Sequence, residues 1–209
     1  MNTQQAYNSW ASQYDTNENK TRDLEALALR RTLAGRTFNN ALEIGCGTGK
    51  NTEWLQSVCN HIVAVDLSEE MLARAKEKVK SGAVTFHQAD ITQSWTFANE
   101  GFDLITFSLV LEHIEDLVPV FDKAVSVLNS NGRIYIGELH PFKQYSGSKA
   151  RFDTEQGTQV VPCFNHHVSD FTRPALQHAL VIEQLDEYFD EAPDNTTIPR
   201  ILTLLLRKS

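Results

Sequence analysis

Short apolar runs alternate with longer helical patterns along the middle of the chain, and this alternation restricts the fold more than any other feature. The strand-like runs cover residues 40–44, 61–65, 83–86, 102–107 and 133–137. Between them lie patterns with helical spacing, over residues 50–58, 68–79 and 118–128. Such alternation is typical of a parallel sheet covered by helices. The fourth run is almost wholly apolar, as expected for a strand buried on both faces. We therefore predict an α/β fold.

The segments outside this core are predicted to belong to the same domain, because no linker-like stretch divides the 209 residues. Residues 142–165 are polar and contain two glycines, which indicates a long loop or an irregular insertion. The other predicted elements are helices over Tyr7–Tyr14 and Arg22–Leu33, a short helix from Ser169 or Thr172, and strands over Leu180–Tyr188 and Ile198–Arg207. The single domain 1–209 then comprises N-terminal helices (1–35), a core (40–140), an insertion (141–170) and a closing helix and strands (171–209).

Composition excludes several classes of protein. The formal net charge of −8, from 19 Lys and Arg against 27 Asp and Glu, argues against a dedicated nucleic-acid binder, which needs a basic surface. The first residues show neither the basic nor the apolar region of a signal peptide, and no apolar run approaches the roughly 20 residues of a membrane span. Cys46, Cys59 and Cys163 form no CxxC pair, which is typical of a reducing compartment. We expect a cytoplasmic protein without a membrane or nucleic-acid partner.

The first strand pattern runs into the glycine cluster Gly45-Cys-Gly-Thr-Gly49, followed by a helical pattern. This arrangement lets backbone N–H groups approach a ligand closely. The dinucleotide fingerprint needs a third glycine at position 50, where Lys50 stands. The phosphate-binding P-loop needs a glycine in place of Ile44 and a Ser or Thr in place of Asn51. Both of these motifs therefore fail at required positions.

The phrase Glu43-Ile-Gly-Cys-Gly-Thr-Gly49 resembles the first motif of class I S-adenosylmethionine-dependent methyltransferases. The resemblance implies that Asp66, after the second strand, holds the ribose hydroxyls of the cofactor, since a carboxylate accepts two hydrogen bonds from a diol. It implies that Asp90, after the third strand, receives the adenine amino group. It places Ser108 and Leu109 beside the methionine portion of S-adenosylmethionine.

The same resemblance implies a Rossmann-like three-layer sandwich, with a seven-stranded, mostly parallel sheet and an antiparallel C-terminal strand. The N-terminal phrase from Tyr7 to Asp15 is similar to the lid helix of the small-molecule members. In that comparison Tyr14 points toward the sulfonium or carboxylate end of the cofactor and Trp10 helps to seal the site. Aromatic residues at helical spacing also suit an ordinary core. Arg22 would pair with the cofactor's carboxylate. The remaining cofactor contacts that the resemblance implies are Glu43, Gly45, Gly47, Gly49, Leu67, Met71 and Ile91.

The reaction implied is an SN2 methyl transfer, for which an oxygen or nitrogen nucleophile must lose a proton. His140, directly after the fifth strand, is the first candidate for the base, because ligands of open α/β sheets bind beyond the carboxyl ends of strands. His113 is the second candidate, although a surface or capping role is the simpler explanation for it. His166 and His167, with Asp170 nearby, suggest a metal site less than they suggest solvated side chains. Methyl transfer requires no metal, and none is predicted.

The predicted acceptor is a small molecule. Members that methylate base amines carry an Asn/Asp-Pro-Pro-Tyr type motif after the fourth strand, where this chain has Ser108-Leu-Val-Leu111. The insertion at 142–165 mixes aromatic and basic side chains that suit a carboxylate or a phosphate, although an exposed loop also explains them. Two alternatives stay open: a methyltransferase of a protein or RNA, and a cofactor-binding protein without transfer activity. The protein is expected to be a monomer or a homodimer.

Overall fold

A central sheet of seven strands organises the protein, whose computed structural model describes residues 2–99, 101–154, 157–192, 194 and 196–209. The strands of the chain are β1 Phe38–Ile44, β2 Cys59–Asp66, β3 Val84–Gln88, β4 Phe102–Ser108, β5 Leu128–Leu139, β6 Arg151–Thr154, β7 Gly157–Val160, β8 Val181–Tyr188 and β9 Ile201–Arg207. The strand order in the large sheet is β3-β2-β1-β4-β5-β9-β8, and β6 and β7 form a separate hairpin. The chain order changes direction between β1 and β4, because β2 and β3 lie on one side of β1 and the later strands lie on the other.

The large sheet is parallel from β3 to β5, and β9 runs antiparallel to both of its neighbours. In the parallel part Leu42 lies opposite Val63 on one side and Ile105 on the other. The first, fourth and fifth strands are buried over most of their lengths, as the near-continuous apolar runs require. The predicted Rossmann-like, mostly parallel sheet with an antiparallel C-terminal strand is confirmed.

Helices cover both faces of the sheet. They are α1 Thr3–Trp10, α2 Lys20–Thr32, α3 Lys50–Leu55, α4 Glu69–Lys78, α5 Val118–Val127, α6 Pro141–Tyr145 and α7 Val168–Gln177. Leu29 of α2 and Leu72 of α4 pack with Leu104 on one face of β4. Phe121 of α5 packs with Ile105 on the other face. Because neighbouring strand residues point to opposite faces, Leu104 and Ile105 divide the interior into two apolar layers and give the three-layer sandwich.

Several predicted boundaries shift. Of the two alternatives for residues 142–165, a long loop or an insertion, the structure excludes the long loop, because this segment contains most of α6 and the hairpin β6–β7. Glu155 and Gln156 lie outside the described residues, as Met1 does. Pro141 occupies the first turn of α6, where its missing N–H costs nothing. The helix predicted over Tyr7–Tyr14 begins and ends earlier, because Asn2 caps α1 through a capping box with Gln5.

The N-terminal helix and the hairpin pack against each other above the carboxyl ends of the parallel strands. The indole ring of Trp10 stacks on the ring of Phe152, with 5.2 Å between their centroids. Ala6, Met71 of α4 and Val161 join the same buried apolar cluster. This cluster fixes α1 and β6 over the sheet edge, where the ends of β1, β2 and β4 meet. Among the described residues, none of the helices has both the length and the apolar character that a membrane crossing requires.

Candidate active site

A cavity of about 370 Å³ lies at the carboxyl ends of the parallel strands. Its walls come from the glycine loop after β1, the ends of β2 and β4, the segment after β3, and the N-terminal helix α1. The predicted cofactor residues that line it are Tyr14, Gly45, Gly47, Asp66, Leu67, Met71, Asp90, Ile91, Ser108 and Leu109. The structure therefore brings together ten of the predicted cofactor contacts, although they come from distant parts of the chain.

The glycine loop turns sharply because its glycines adopt left-handed backbone angles. Gly45 has φ 75°, and a Cβ there would lie 2.8 Å from Cβ of Val110. Gly49 also has a positive φ, but a Cβ there would meet Ala75 of α4 at 3.2 Å, so this glycine lets α3 approach α4 and does not line the cavity. Two of the three glycines thus shape the cavity and the third serves helix packing.

Gly45→Ala is expected to lower both the melting temperature and the affinity for S-adenosylhomocysteine. The alanine adopts a left-handed angle that costs about 1–2 kcal/mol, and its Cβ collides with Val110 across the cavity wall. Calorimetric titration and thermal unfolding measure both effects. Gly82→Ala is the matched control, because nothing lies within 4 Å of a Cβ there. Equal behaviour of the two variants would contradict the role given to the loop geometry.

Asp66 ends β2 and faces the cavity with a carboxylate that the backbone holds in place. Its Oδ2 accepts the N–H of Gly47 at 2.8 Å, and its Oδ1 accepts the N–H of Ser68 at 2.8 Å. Burial raises the pKa of Asp66, while these backbone donors oppose the rise. Each carboxylate oxygen keeps further acceptor capacity. The result is a rigid anionic acceptor on the cavity wall.

Glu43, predicted as a cofactor contact, bonds to a helix in the structure. Its Oε2 accepts the hydroxyl of Thr52 of α3 at 2.6 Å, and burial raises its pKa to about 8. It is not among the residues that line the cavity. Glu43 therefore fixes α3 beneath the loop, and Asp66 receives the loop N–H instead.

The segment that follows the third strand lines the cavity with Asp90 and Ile91. Oδ1 of Asp90 accepts the backbone N–H of Thr92 at 2.8 Å and its hydroxyl at 2.7 Å. The apolar walls on this side come from Leu67 and Met71. A flat apolar ligand would therefore be enclosed between aliphatic side chains, with the carboxylate of Asp90 at its edge.

Leu109, after β4, has a positive φ of 54°, which is rare for a residue with a Cβ. Its N–H donates to the carbonyl of Gly137 at 2.8 Å, which holds this conformation. The next two N–H groups, of Val110 and Leu111, donate to Oε1 of Glu138 at 2.9 and 2.8 Å. Backbone strain of this kind is concentrated at functional sites. Glu138 is a positioning residue that the sequence analysis missed.

A second cavity, of about 570 Å³, adjoins the first. Tyr7, Tyr14 and Leu109 line both cavities and form the partition between them. Trp10 and Arg22, predicted as cofactor contacts, line the second cavity and not the first. Of the predicted lid residues, Tyr14 thus belongs to the partition, whereas Trp10 belongs only to the wall of the second cavity.

The guanidinium of Arg22 fixes the N-terminal segment. It lies over the ring of Tyr14, 4.1 Å from the ring centroid, and donates to the backbone carbonyls of Tyr14 and Asn17. Burial raises the pKa of Tyr14 to about 12, so its hydroxyl keeps its proton at neutral pH. The partition therefore presents a neutral hydroxyl to the first cavity.

Comparison with known proteins agrees with this geometry. Residues 42–136 match a family model described as a methyltransferase domain. Over this stretch, which is 95 of the 209 residues, the chain is similar to methyltransferase domains. The matched range runs from β1 to β5 and therefore contains the glycine loop, Asp66, Asp90 and Leu109.

Three similar proteins illustrate the family. Nodulation protein S of Azorhizobium caulinodans is 33% identical over 108 residues, which are 50% of this chain and 51% of that protein. Ubiquinone biosynthesis O-methyltransferase of Xanthomonas euvesicatoria is 26% identical over 154 residues, 73% of this chain and 63% of that protein. The chain thus matches about half to two thirds of the length of these relatives. The N-methyltransferase NodS of Bradyrhizobium japonicum, solved with S-adenosyl-L-homocysteine, has the same fold, with a TM-score of 0.74 at 22% identity over 100% of this chain and 99% of that chain.

His113 lies where the two cavities meet. Its Nδ1 is 2.8 Å from the carbonyl oxygen of Pro162, which only accepts hydrogen bonds, so Nδ1 carries the proton. Its Nε2 therefore accepts the hydroxyl of Tyr7 at 2.7 Å. Burial lowers the pKa of His113, which favours the neutral ring. The histidine presents an unprotonated nitrogen beside the partition.

Glu112 is a second titratable residue at this junction, and the sequence analysis missed it. Its side chain is buried, and burial raises its pKa to about 7. It lines the second cavity, whereas its neighbour His113 lines the first. The glutamate and histidine were visible in the sequence as Leu-Glu-His-Ile, but only the 3-10 turn over Leu111–His113 directs both side chains to the junction.

His140, the first candidate for the base, has a structural role instead. It is the N-cap of α6, where Nδ1 accepts the N–H of Phe142 at 3.1 Å. Its Nε2 lies 2.9 Å from Oε1 of Glu187 on β8. Both ring nitrogens are therefore engaged, and His140 lines neither cavity. Its position after β5 is as expected, but its side chain caps the next helix.

His140→Ala is expected to destabilise the protein without slowing methyl transfer. Loss of the cap and of the contact with Glu187 costs about 1 kcal/mol or more, which lowers the melting temperature by about 2–4 °C for each kcal/mol. Thermal unfolding and a turnover assay measure the two effects, with the exposed His61→Ala as the control. A stable but inactive H140A variant would indicate that His140 takes part in catalysis.

Other titratable residues near the junction include potential metal ligands. His166 is buried, with Nε2 2.8 Å from the carbonyl oxygen of Ile114, and His167 begins α7 in a capping box with Asp170. Neither of these histidines is arranged as a ligand. Glu112, His113 and Cys163 place one potential ligand atom each within 4.8 Å of one another. The prediction that the reaction needs no metal stays a prediction.

Proposed function

We propose that the whole chain acts as one domain that transfers a methyl group from S-adenosylmethionine to an oxygen or nitrogen atom of a small molecule. The observation that carries this proposal is the pair of adjoining cavities divided only by Tyr7, Tyr14 and Leu109. One cavity is lined by the residues of the predicted cofactor-binding motifs. The other is enclosed by the N-terminal segment and the segment before β6. A methyl group at the partition would face a bound acceptor directly.

The residues of the first cavity fit S-adenosylmethionine. The αL glycines leave open backbone where a Cβ would intrude, and Asp66 offers a fixed carboxylate for a vicinal diol. Leu67, Met71, Ile91 and Asp90 would hold the adenine, and Ser108 and Leu109 the methionine portion. When bound, the cofactor supplies a methyl group on a sulfonium, which is already a good leaving group. The protein's contribution is then alignment and exclusion of water.

The lid role of the N-terminal helix rests on its contacts. Trp10 stacks on Phe152, and Tyr7 and Tyr14 stand between the cavities, so these aromatic rings would cover a bound cofactor from solvent. Arg22 holds Tyr14 in place through its ring and its carbonyl. The same guanidinium would reach a carboxylate at the end of the cofactor only through the partition, so we assign it to positioning.

We assign the base to His113 and not to His140. The Pro162 carbonyl fixes the tautomer in which Nε2 accepts, and the lowered pKa keeps that nitrogen unprotonated at neutral pH. An acceptor hydroxyl or ammonium at the partition would replace the Tyr7 hydroxyl as the donor to Nε2. Glu112 is buried and adjacent in the sequence, with 3.9 Å between its Oε1 and Nε2 of His113. Its carboxylate is close enough to balance the positive charge that His113 gains with a proton.

Labelled methyl transfer tests the proposed function. The protein is incubated with methyl-labelled S-adenosylmethionine and a cell extract separated into molecules below about 1 kDa, proteins and RNA. We expect label only in the low-mass fraction, and none with the D66A variant as control. Label in the protein or RNA fraction would instead support a macromolecular acceptor. Absence of label in every fraction, with S-adenosylhomocysteine still bound, would support a cofactor-binding protein without transfer activity.

The compartment is also a proposal. We place the protein in the cytoplasm, where its three cysteines would stay reduced. Cys46 and Cys59 are buried thiols, Cys163 is partly buried, and all three are free. This distribution is typical of proteins from reducing compartments.

A further inference from the structure

The second cavity has a charge opposite to that of the protein as a whole. Five basic residues line it, against two acidic ones, in a chain whose formal net charge is −8. The basic residues are Lys20, Arg22, Lys149, Arg151 and Arg200. Such a concentration within one cavity marks a binding site for an anion, because it raises the local concentration of negatively charged ligands.

Not all of these charges are available, and their contacts separate them. Arg200 is paired with the carboxylate of Asp190 through two of its nitrogens, so its charge is compensated. Lys149 and Arg151 form no ion pair with any residue that the structure describes. These two residues flank Ala150, where the chain enters β6. Their charges therefore remain free to attract a ligand.

Arg22 supplies a third charge without an ion pair among the described residues, and it is less exposed than the other two. Its Nη1 and Nη2 donate to the carbonyls of Tyr14 and Asn17, which are neutral. Its Nε is buried and has no hydrogen-bond partner among the described residues. On the acidic side, Glu112 is buried and Glu18 is exposed. Among the exposed lining residues, Lys20, Lys149 and Arg151 therefore outnumber the single carboxylate of Glu18.

We propose that the second cavity binds its acceptor through a carboxylate or phosphate group held by Lys149 and Arg151, with Arg22 contributing to the field. This proposal rests on the proposed function and names the class of its substrate. The anionic group would lie at the rim formed by the segment before β6, and the nucleophilic atom at the partition beside Leu109. A guanidinium and an ammonium that line the same cavity suit both anions, since the first binds in bidentate fashion and the second as a point charge.

Isothermal titration with simple anions tests this assignment. Inorganic phosphate and acetate are titrated, at constant ionic strength, into the protein saturated with S-adenosylhomocysteine. The variants are K149Q/R151Q and a matched control, R74Q/K80Q, which also removes one arginine and one lysine, both exposed and outside the two cavities. We expect the first double variant to bind the anion about tenfold more weakly or not at all, and the control to match the wild type.

The two anions distinguish the possible sources of the negative group. Tighter binding of phosphate favours a phosphorylated acceptor, and tighter binding of acetate favours a carboxylic acid. Equal affinities in both double variants, or no binding to the wild type, would overturn the proposal. Titration of S-adenosylhomocysteine itself is the separate readout for the proposed function. Failure of the wild type to bind S-adenosylhomocysteine would contradict the proposed function. Normal binding of S-adenosylhomocysteine without anion binding would contradict only the substrate class.

Discussion

Asp66→Ala is expected to weaken the binding of S-adenosylhomocysteine by about 100-fold. The carboxylate would form two hydrogen bonds with the ribose, and a hydrogen bond to a charged group contributes about 1.5 kcal/mol or more. The substitution also removes the acceptor that holds the N–H groups of Gly47 and Ser68, so the glycine loop loses its fixed shape. Isothermal titration calorimetry measures the affinity, and thermal unfolding shows whether the variant is folded.

Two further variants separate the ribose contact from the loop. Asp66→Asn keeps one acceptor oxygen without the charge, and we expect an affinity between those of the wild type and D66A. Glu70→Ala removes an exposed carboxylate from the first turn of α4 and is expected to leave the affinity unchanged. Wild-type affinity in a folded D66A variant would remove Asp66 from the cofactor site.

His113→Gln is expected to slow methyl transfer by about 100-fold with little change in cofactor affinity, because general base catalysis contributes about that much. The measurement is label transfer to the active low-mass fraction under conditions of saturating cofactor. Since the cofactor cavity keeps Asp66 and the glycine loop, S-adenosylhomocysteine should bind the variant normally. Unchanged turnover in H113Q would exclude His113 as the base.

The pH dependence of turnover gives a second readout for His113. Burial lowers its pKa below the usual value of about 6.5, and only the neutral ring accepts a proton. Activity should therefore rise as pH increases through this lowered pKa and be fully developed at neutral pH. The H113Q variant should lack this rise between acidic and neutral pH. A rise of the same size in H113Q would assign the titration to another group.

The sequence predicted the parts of the molecule that depend on the backbone and on short-range spacing. The strand–loop–helix order, the three glycines and the acid after β2 can each be recognised from a short stretch of sequence. The fold then brings the strand ends together. The family resemblance added the roles of Asp66, Asp90 and Leu109, which the structure places with Gly45 in one cavity. The seven-stranded, mostly parallel sheet and its antiparallel last strand followed from the family resemblance.

The features that the sequence did not predict depend on contacts between distant segments. The side chain of His140 turns toward Phe142 and Glu187, a choice that its position after β5 does not determine. Phe152 is buried against Trp10, in a hairpin within the segment that was predicted as a long loop or an irregular insertion. Glu138 was visible only as a charge at the end of an apolar strand, a signal that marks a buried charge with a partner but does not name that partner.

A crystal structure with S-adenosylhomocysteine bound tests the account most directly. We predict the ribose hydroxyls within hydrogen-bond distance of the Asp66 carboxylate and the sulfur atom at the partition formed by Tyr7, Tyr14 and Leu109. The sulfur should face the second cavity, where Lys149 and Arg151 lie at the far rim. A ligand bound outside the first cavity, or a sulfur atom closed off from the second, would contradict the proposed path of the methyl group.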